Sequence, residues 1–85
     1  MSDSEIIWKY LDRQYSDDHP AIFLYCCGNT RSPQTATMKM MEDARKLFCP
    51  PYTEQFLRTI IHGFLENKKK LYMKGIIKIK PIYGN

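Results

Sequence analysis

Residues 52–70 read YTEQFLRTIIHGFLENKKK, and this stretch carries the clearest helical period in the chain. Its apolar residues recur at intervals of three and four, which places them on one face of an α-helix. These residues are Phe56, Leu57, Ile60, Ile61, Phe64 and Leu65. Thr53 is a suitable N-cap after Pro50 and Pro51, and three lysines supply the positive charge favoured near a helix C-terminus. We therefore predict a helix over 52–70, against which the other elements pack.

Two more helices are predicted from capping residues and apolar spacing. The first begins near Ser2 or Ser4 and runs to about Tyr15. The other, over 32–48, has Ser32 as N-cap and Pro33 as its first residue, and it must end before Pro50. Its predicted inner face consists of Thr37, Met41, Ala44, Leu47 and Phe48, with Met38 and Met40 at the edges.

Two segments are harder to assign. Residues 21–27 are apolar throughout, so periodicity cannot separate a buried strand from a buried helix. Asp18 as cap, Pro20 in the first turn and Gly28 after the end slightly favour the helix. Residues 71–83 alternate imperfectly, with Lys74 and Gly75 as a turn, which predicts a strand or small hairpin.

These elements predict a mainly α fold. It has three to four helices and a short C-terminal β-strand or hairpin, an order compatible with a winged-helix-like arrangement. At 85 residues, the chain is expected to form a single helical domain over 1–85 with a basic C-terminal half.

Charge is unevenly distributed along the chain. The net charge is +4, but residues 1–45 carry seven acidic and five basic groups, whereas residues 46–85 carry two acidic and eight basic groups. Three cysteines, two of them adjacent, indicate free thiols in a reducing compartment. With no signal peptide and no apolar run of about 20 residues, we expect an intracellular protein with no membrane partner. Its expected location is the cytoplasm, or the nucleus in a eukaryotic host.

The C-terminal half contains the strongest indication of a partner. Six lysines fall within 13 residues, next to an aromatic side chain that could stack on a base. The predicted nucleic-acid-binding residues are Lys68, Lys69, Lys70, Lys74, Lys78, Lys80 and Tyr72. The leading hypothesis is a small regulatory protein that binds DNA or RNA through this face. The alternative is an adaptor or inhibitor that occupies an acidic surface of another protein.

The apolar residues are also compatible with a homodimer. Several of them exceed what the predicted core requires and could contribute to an interface. They are Trp8, Met38, Met40 and Tyr83.

Residues 22–33, IFLYCCGNTRSP, resemble the phosphate-binding loop of low-molecular-weight protein tyrosine phosphatases. That family has an apolar strand, a nucleophilic Cys, a Gly-Asn pair, and Arg-Ser-Pro opening a helix. The resemblance implies that Cys26 matches the nucleophile, while Arg31 and the helix start at Ser32 would hold phosphate. Four residues separate Cys26 from Arg31, whereas the family has five. A degenerate anion site at Arg31 and Ser32 is therefore the third hypothesis.

No pattern specifies metal binding or catalysis. His19, His62 and Cys49 lack the spacing of a zinc site, and the acidic residues are not paired by spacing for acid and base chemistry. We predict a non-enzymatic protein with no catalytic residues, metal or cofactor.

Overall fold

The computed structural model describes residues 2–28 and 30–79, and these residues form four α-helices. The prediction of a mainly helical chain is confirmed. The helices are α1 Asp3–Gln14, α2 Pro20–Cys27, α3 Ser32–Phe48 and α4 Glu54–Met73.

Helix α4 lies at the centre of the packing and contacts each of the other three helices. The Thr53 hydroxyl caps it by accepting the Phe56 N–H at 3.1 Å, as the sequence predicts. The apolar stripe is confirmed with one difference: Phe56, in the first turn, is half-buried. The residues of the stripe that are buried are Leu57, Ile60, Ile61, Phe64 and Leu65.

The C-terminal end of α4 corrects the predicted β element. The helix continues to Met73, and Gly75 follows with φ of 76°. The Ile76 N–H donates to the Leu71 carbonyl at 2.9 Å, and the Gly75 N–H donates to the Tyr72 carbonyl at 3.0 Å. These two bonds form a Schellman motif, so the pair at 74–75 ends a helix instead of turning a hairpin.

The prediction of a strand is therefore wrong over 71–79. Within residues 2–28 and 30–79 there is no strand, so the period-two pattern of 76–79 has no partner with which to form a ladder. The winged-helix-like arrangement consequently has no β wing in this part of the chain. Residues 80–83, the rest of the predicted strand, lie outside the described residues.

Helix α2 settles the ambiguity of residues 21–27 in favour of the helix. Its N-cap is His19 and not the predicted Asp18, because the His19 Nδ1 accepts the Ala21 N–H at 3.0 Å. Pro20 occupies the first turn, where its missing N–H costs no helical hydrogen bond. Ala21, Ile22 and Tyr25 are buried.

The buried face of α3 differs from the predicted one. Arg31, and not Ser32, occupies the N-cap position. Met40 is fully buried, whereas Leu47 is 61% exposed. The buried residues are Ser32, Ala36, Met40, Met41 and Ala44. The predicted Met41 and Ala44 are confirmed, whereas Ser32 and Ala36 were not predicted because small side chains carry a weak hydrophobic signal. Phe48 is half-buried against the core, and Leu47 is exposed in the last turn although it continues the face of Met40.

Helix α1 completes the core against α4. Ile7 and Leu11 are fully buried, whereas Ile6 is 41% exposed. Trp8 is half-buried and meets Phe64 edge to face with ring centroids 5.4 Å apart. Among the described residues, no helix combines the length and apolar character needed to cross a membrane.

Candidate nucleic-acid interface

The predicted lysines do not form one continuous face. Lys68 points toward the α1 side of the molecule, with its Nζ 2.8 Å from Asp17 and 3.8 Å from Asp12. The same ammonium lies 5.4 Å from the centroid of the Phe64 ring. Its side chain is only 14% exposed. Lys68 therefore connects α4 to α1 and the segment that follows α1, and its charge is paired with two carboxylates.

Lys69 and Tyr72 lie beside the C-terminal end of α2, and both are half-buried. Burial raises the pKa of the Cys26 thiol, and the nearby Lys69 charge offsets part of that rise. The Tyr72 hydroxyl hydrogen-bonds to Cys27, and this bond raises the pKa of Tyr72. These two predicted residues thus contribute to the α2–α4 contact.

Three of the predicted lysines have exposed side chains. Lys70, Lys74 and Lys78 are exposed, and no ion pair within 2–28 and 30–79 involves them. Lys70 and Lys74 are four residues apart in and just beyond α4, so they share a side of it. We call these three lysines the C-terminal basic patch. Lys80 lies outside the described residues.

Two exposed apolar side chains border the C-terminal basic patch. Met73 is 74% exposed and Ile76 is 65% exposed. Neither was included among the predicted site residues, since hydrophobic periodicity assigns apolar positions to the core.

The anion site suggested by the phosphatase resemblance is built differently from that family's loop. Residues 20–27 form a helix where the resemblance implied a strand, so Cys26 lies within α2. Burial raises the pKa of the Cys26 thiol to about 11, with a smaller contribution from Cys27. Arg31 is exposed, whereas Ser32 is buried at 8% exposure. Anion binding by Arg31 and Ser32 stays a prediction.

A groove between α3 and α4 was not predicted from the sequence. It has a volume of about 510 Å³. The residues that line it are Thr35, Met38, Lys39, Met41, Glu42 and Arg45 of α3, and Glu54 and Arg58 of α4. At one end of it, Arg45 Nη1 lies 2.7 Å from Glu54 Oε1. The sequence contains a signal only for the part of this surface that precedes Glu42, because no Asp or Glu occurs between Asp18 and Glu42.

A second depression of about 300 Å³ adjoins the groove at Arg58. Gln34 and Thr37 of α3 line it, together with Tyr25 of α2 and His62 of α4. The Tyr25 hydroxyl of α2 donates a hydrogen bond to Glu66 of α4, and this bond connects the two helices. The N-terminal half of α3 is therefore flanked by polar and basic side chains along one side.

The described residues offer no metal centre, since no group of three or more His, Cys, Asp or Glu side chains converges in 2–28 and 30–79. Buried side-chain polar atoms of this region all have hydrogen-bond partners. Comparison of the chain with protein-family models, curated proteins and solved structures gives no match.

Proposed function

We propose that this chain binds nucleic acid through phosphate contacts made by the C-terminal basic patch. The observation that carries this proposal is the exposure of Lys70, Lys74 and Lys78 without an acidic partner among the described residues. Ammonium groups of this kind can neutralise backbone phosphates and release condensed counterions. The proposed patch leaves out Lys68 because its ammonium is paired with Asp12 and Asp17.

A salt titration tests the proposal. Three phosphate contacts on duplex DNA give a slope of log K against log salt of about −2.7. Affinity for a duplex should then fall about 40-fold between about 50 and 200 mM salt. A single-stranded oligonucleotide of the same length should be measured in parallel. Duplex and single-stranded binding are then distinguished because the slope of log K against log salt differs between them. Absence of binding to either at about 50 mM salt would contradict the proposal.

A second candidate is an adaptor or inhibitor that binds another protein. The observation that favours it is the exposure of Met73 and Ile76 beside the lysines, since apolar side chains inside a charged rim are typical of protein interfaces. Replacing both with Ser should abolish capture of such a partner. Under the nucleic-acid proposal, the same double variant should bind oligonucleotides as the parent does.

A further inference from the structure

Helices α2 and α3 form a close corner. Helix α2 has eight residues, four residues at 28–31 follow it, and α3 begins at Ser32. A Cβ atom added to Gly28 would lie 2.3 Å from Ser32 Cβ and 2.5 Å from the Leu24 carbonyl oxygen. Only glycine permits this approach, because any larger residue would place its Cβ atom against Ser32 and Leu24. The C-terminal end of α2 and the start of α3 are therefore close together at the turn. A helix, a turn of three to four residues containing Gly, and a second packed helix are the parts of a helix-turn-helix unit.

The second helix of such a unit must leave a wide face in solvent. The buried residues of α3 follow a narrow stripe at intervals close to four, including Ser32, Ala36, Met40 and Ala44. In the first half of the helix, Gln34, Thr35, Met38 and Lys39 are exposed, and Met38 reaches 62%. An α-helix about 10 to 12 Å across fits the B-DNA major groove, which is about 12 Å wide.

The chemistry of this exposed face suits base edges. Gln can bond adenine N6 and N7, Lys can bond guanine O6 and N7, and a methyl-bearing side chain can contact the thymine methyl group. The face contains no carboxylate before Glu42, which lines the α3–α4 groove one turn beyond Met38 and Lys39. Arg58, across the α3–α4 groove, adds a positive charge at the border of the face.

The C-terminal basic patch lies on the side of the corner where α2 ends. Glu66 accepts a hydrogen bond from Tyr25, and Tyr72 bonds Cys27, so the second half of α4 runs beside α2 toward the turn. Lysines at the end of α4 therefore extend the basic surface beyond the corner. Phosphate contacts at such positions fix the orientation of a protein on its duplex.

We propose that α3 is a recognition helix that reads B-form DNA in the major groove, with Gln34, Thr35, Met38 and Lys39 as the reading side chains. This inference rests on the proposed nucleic-acid function and adds the ligand form and the sequence-reading surface. Duplex RNA does not fit the same face, because its major groove is too deep and narrow for side chains to read.

The test is selection from a pool of duplex DNA with a randomised centre, using the full chain. The parent should enrich a preferred sequence. A Gln34→Ala, Lys39→Gln variant should then lose about 5- to 150-fold in preference for each contacted base pair, while keeping its binding to unselected duplex. Lys46→Gln, an exposed change in the second half of α3, is the matched control and should retain the preference.

Circular dichroism of each variant ensures that the comparison is made between folded proteins. If the parent binds duplexes without sequence preference, or prefers single strands or RNA, the recognition helix is contradicted while the proposed function stands. Full preference in the Gln34→Ala, Lys39→Gln variant contradicts the assignment of α3 in the same way. If the parent binds no nucleic acid, both proposals fall.

Discussion

His19 joins three elements through one imidazole ring. Its Nδ1 caps α2, and its ring meets Tyr15 edge to face at 4.7 Å. From α3, Asp43 and Lys39 act on it with opposite signs. Burial lowers the pKa of His19, Asp43 acts to raise it and Lys39 acts to lower it further. Sequence rules favour Asp18 as the cap, and they could not reveal that tertiary packing positions the histidine instead.

Stability should depend on this histidine in weakly acidic solution. The pKa of His19 in the folded chain lies below the unfolded value of about 6.5. At pH values between these two pKa values, the folded state therefore binds fewer protons than the unfolded state. The contribution of His19 is thus complete above pH of about 6.5 and is lost as pH falls through the folded pKa. A protonated Nδ1 cannot accept a hydrogen bond from the Ala21 N–H. The free energy of unfolding should therefore fall by nearly the contribution of an N-cap, about 1 kcal/mol.

Urea unfolding at pH 7.5 and 5.5 measures this effect. His19→Asn is the matched control, because asparagine caps a helix without titrating in this range. The free energy of unfolding should fall more for the parent than for His19→Asn. Equal changes in the two proteins would show that the His19 cap is not pH-sensitive.

Cys26 should be a slow nucleophile in the folded chain. A pKa of about 11 leaves very little thiolate at neutral pH, and the thiolate is the reactive form. In a Cys27→Ser, Cys49→Ser background, alkylation by iodoacetamide at pH 7.5 should be much slower in buffer than in urea. Fast labelling at pH 6 that phosphate or vanadate suppresses would instead support the phosphatase-like site.

Phe64 and Ile60 should be among the most sensitive positions for stability. Phe64 is 1% exposed and packs against Trp8, and Ile60 is 8% exposed. Replacing either with Ala should lower the free energy of unfolding by about 2 to 5 kcal/mol because it leaves a cavity. Asn67→Ala, an exposed change on the same helix, should melt close to the parent. Parent-like melting of Phe64→Ala would contradict the buried face of α4.

At the scale of elements, two glycines should respond oppositely to the same substitution. Gly28→Ala should destabilise by about 1 to 3 kcal/mol, because its Cβ would overlap Ser32 and Leu24 at the α2–α3 corner. Gly63→Ala should stabilise by up to about 1 kcal/mol, since it lies inside α4 and the nearest side-chain atom is 3.8 Å away. Thermal unfolding of both variants checks this pair. A Gly28→Ala variant as stable as the parent would show that the corner is looser than described.

The elements differ in how far sequence alone could predict them. Residues 52–70 were predictable because an N-cap, a wide apolar stripe and terminal charges agree on one helix. The end of that helix was not, since a lysine followed by Gly75 can form either a hairpin turn or a Schellman cap. Only the absence of a pairing strand within 2–28 and 30–79 separates these outcomes. On α3, Met41 and Ala44 were predicted correctly, whereas Ser32 and Ala36 were missed because they are buried without being strongly hydrophobic.

At the scale of the whole molecule, the fold divides a charge cluster that looks uniform in sequence. Lys68, Lys69 and Lys70 are adjacent in the chain, yet their environments differ. Lys68 forms ion pairs with aspartates, Lys69 is half-buried and Lys70 is exposed. Asp17, which holds Lys68, is 51 residues away in the chain. Local patterns contain no information about such a pair, so the sequence could predict a basic region but not which of its charges are available.

The central claim is that the C-terminal basic patch neutralises phosphates. Replacing Lys70, Lys74 and Lys78 together with Gln removes only exposed side chains, so stability should change little, by about 0.5 kcal/mol per site or less. A control variant removes the same charge elsewhere by replacing the exposed Lys9, Arg13 and Lys46 with Gln.

The most direct measurement is the slope of log K against log salt for duplex DNA, determined for the parent and both triple variants. We predict that the slope of the Lys70, Lys74, Lys78 variant is smaller in magnitude by about 2.7, and that the control changes it much less. An unchanged slope in the first variant, or equal losses in the two, would show that the patch is a solvated surface and not the phosphate-binding site.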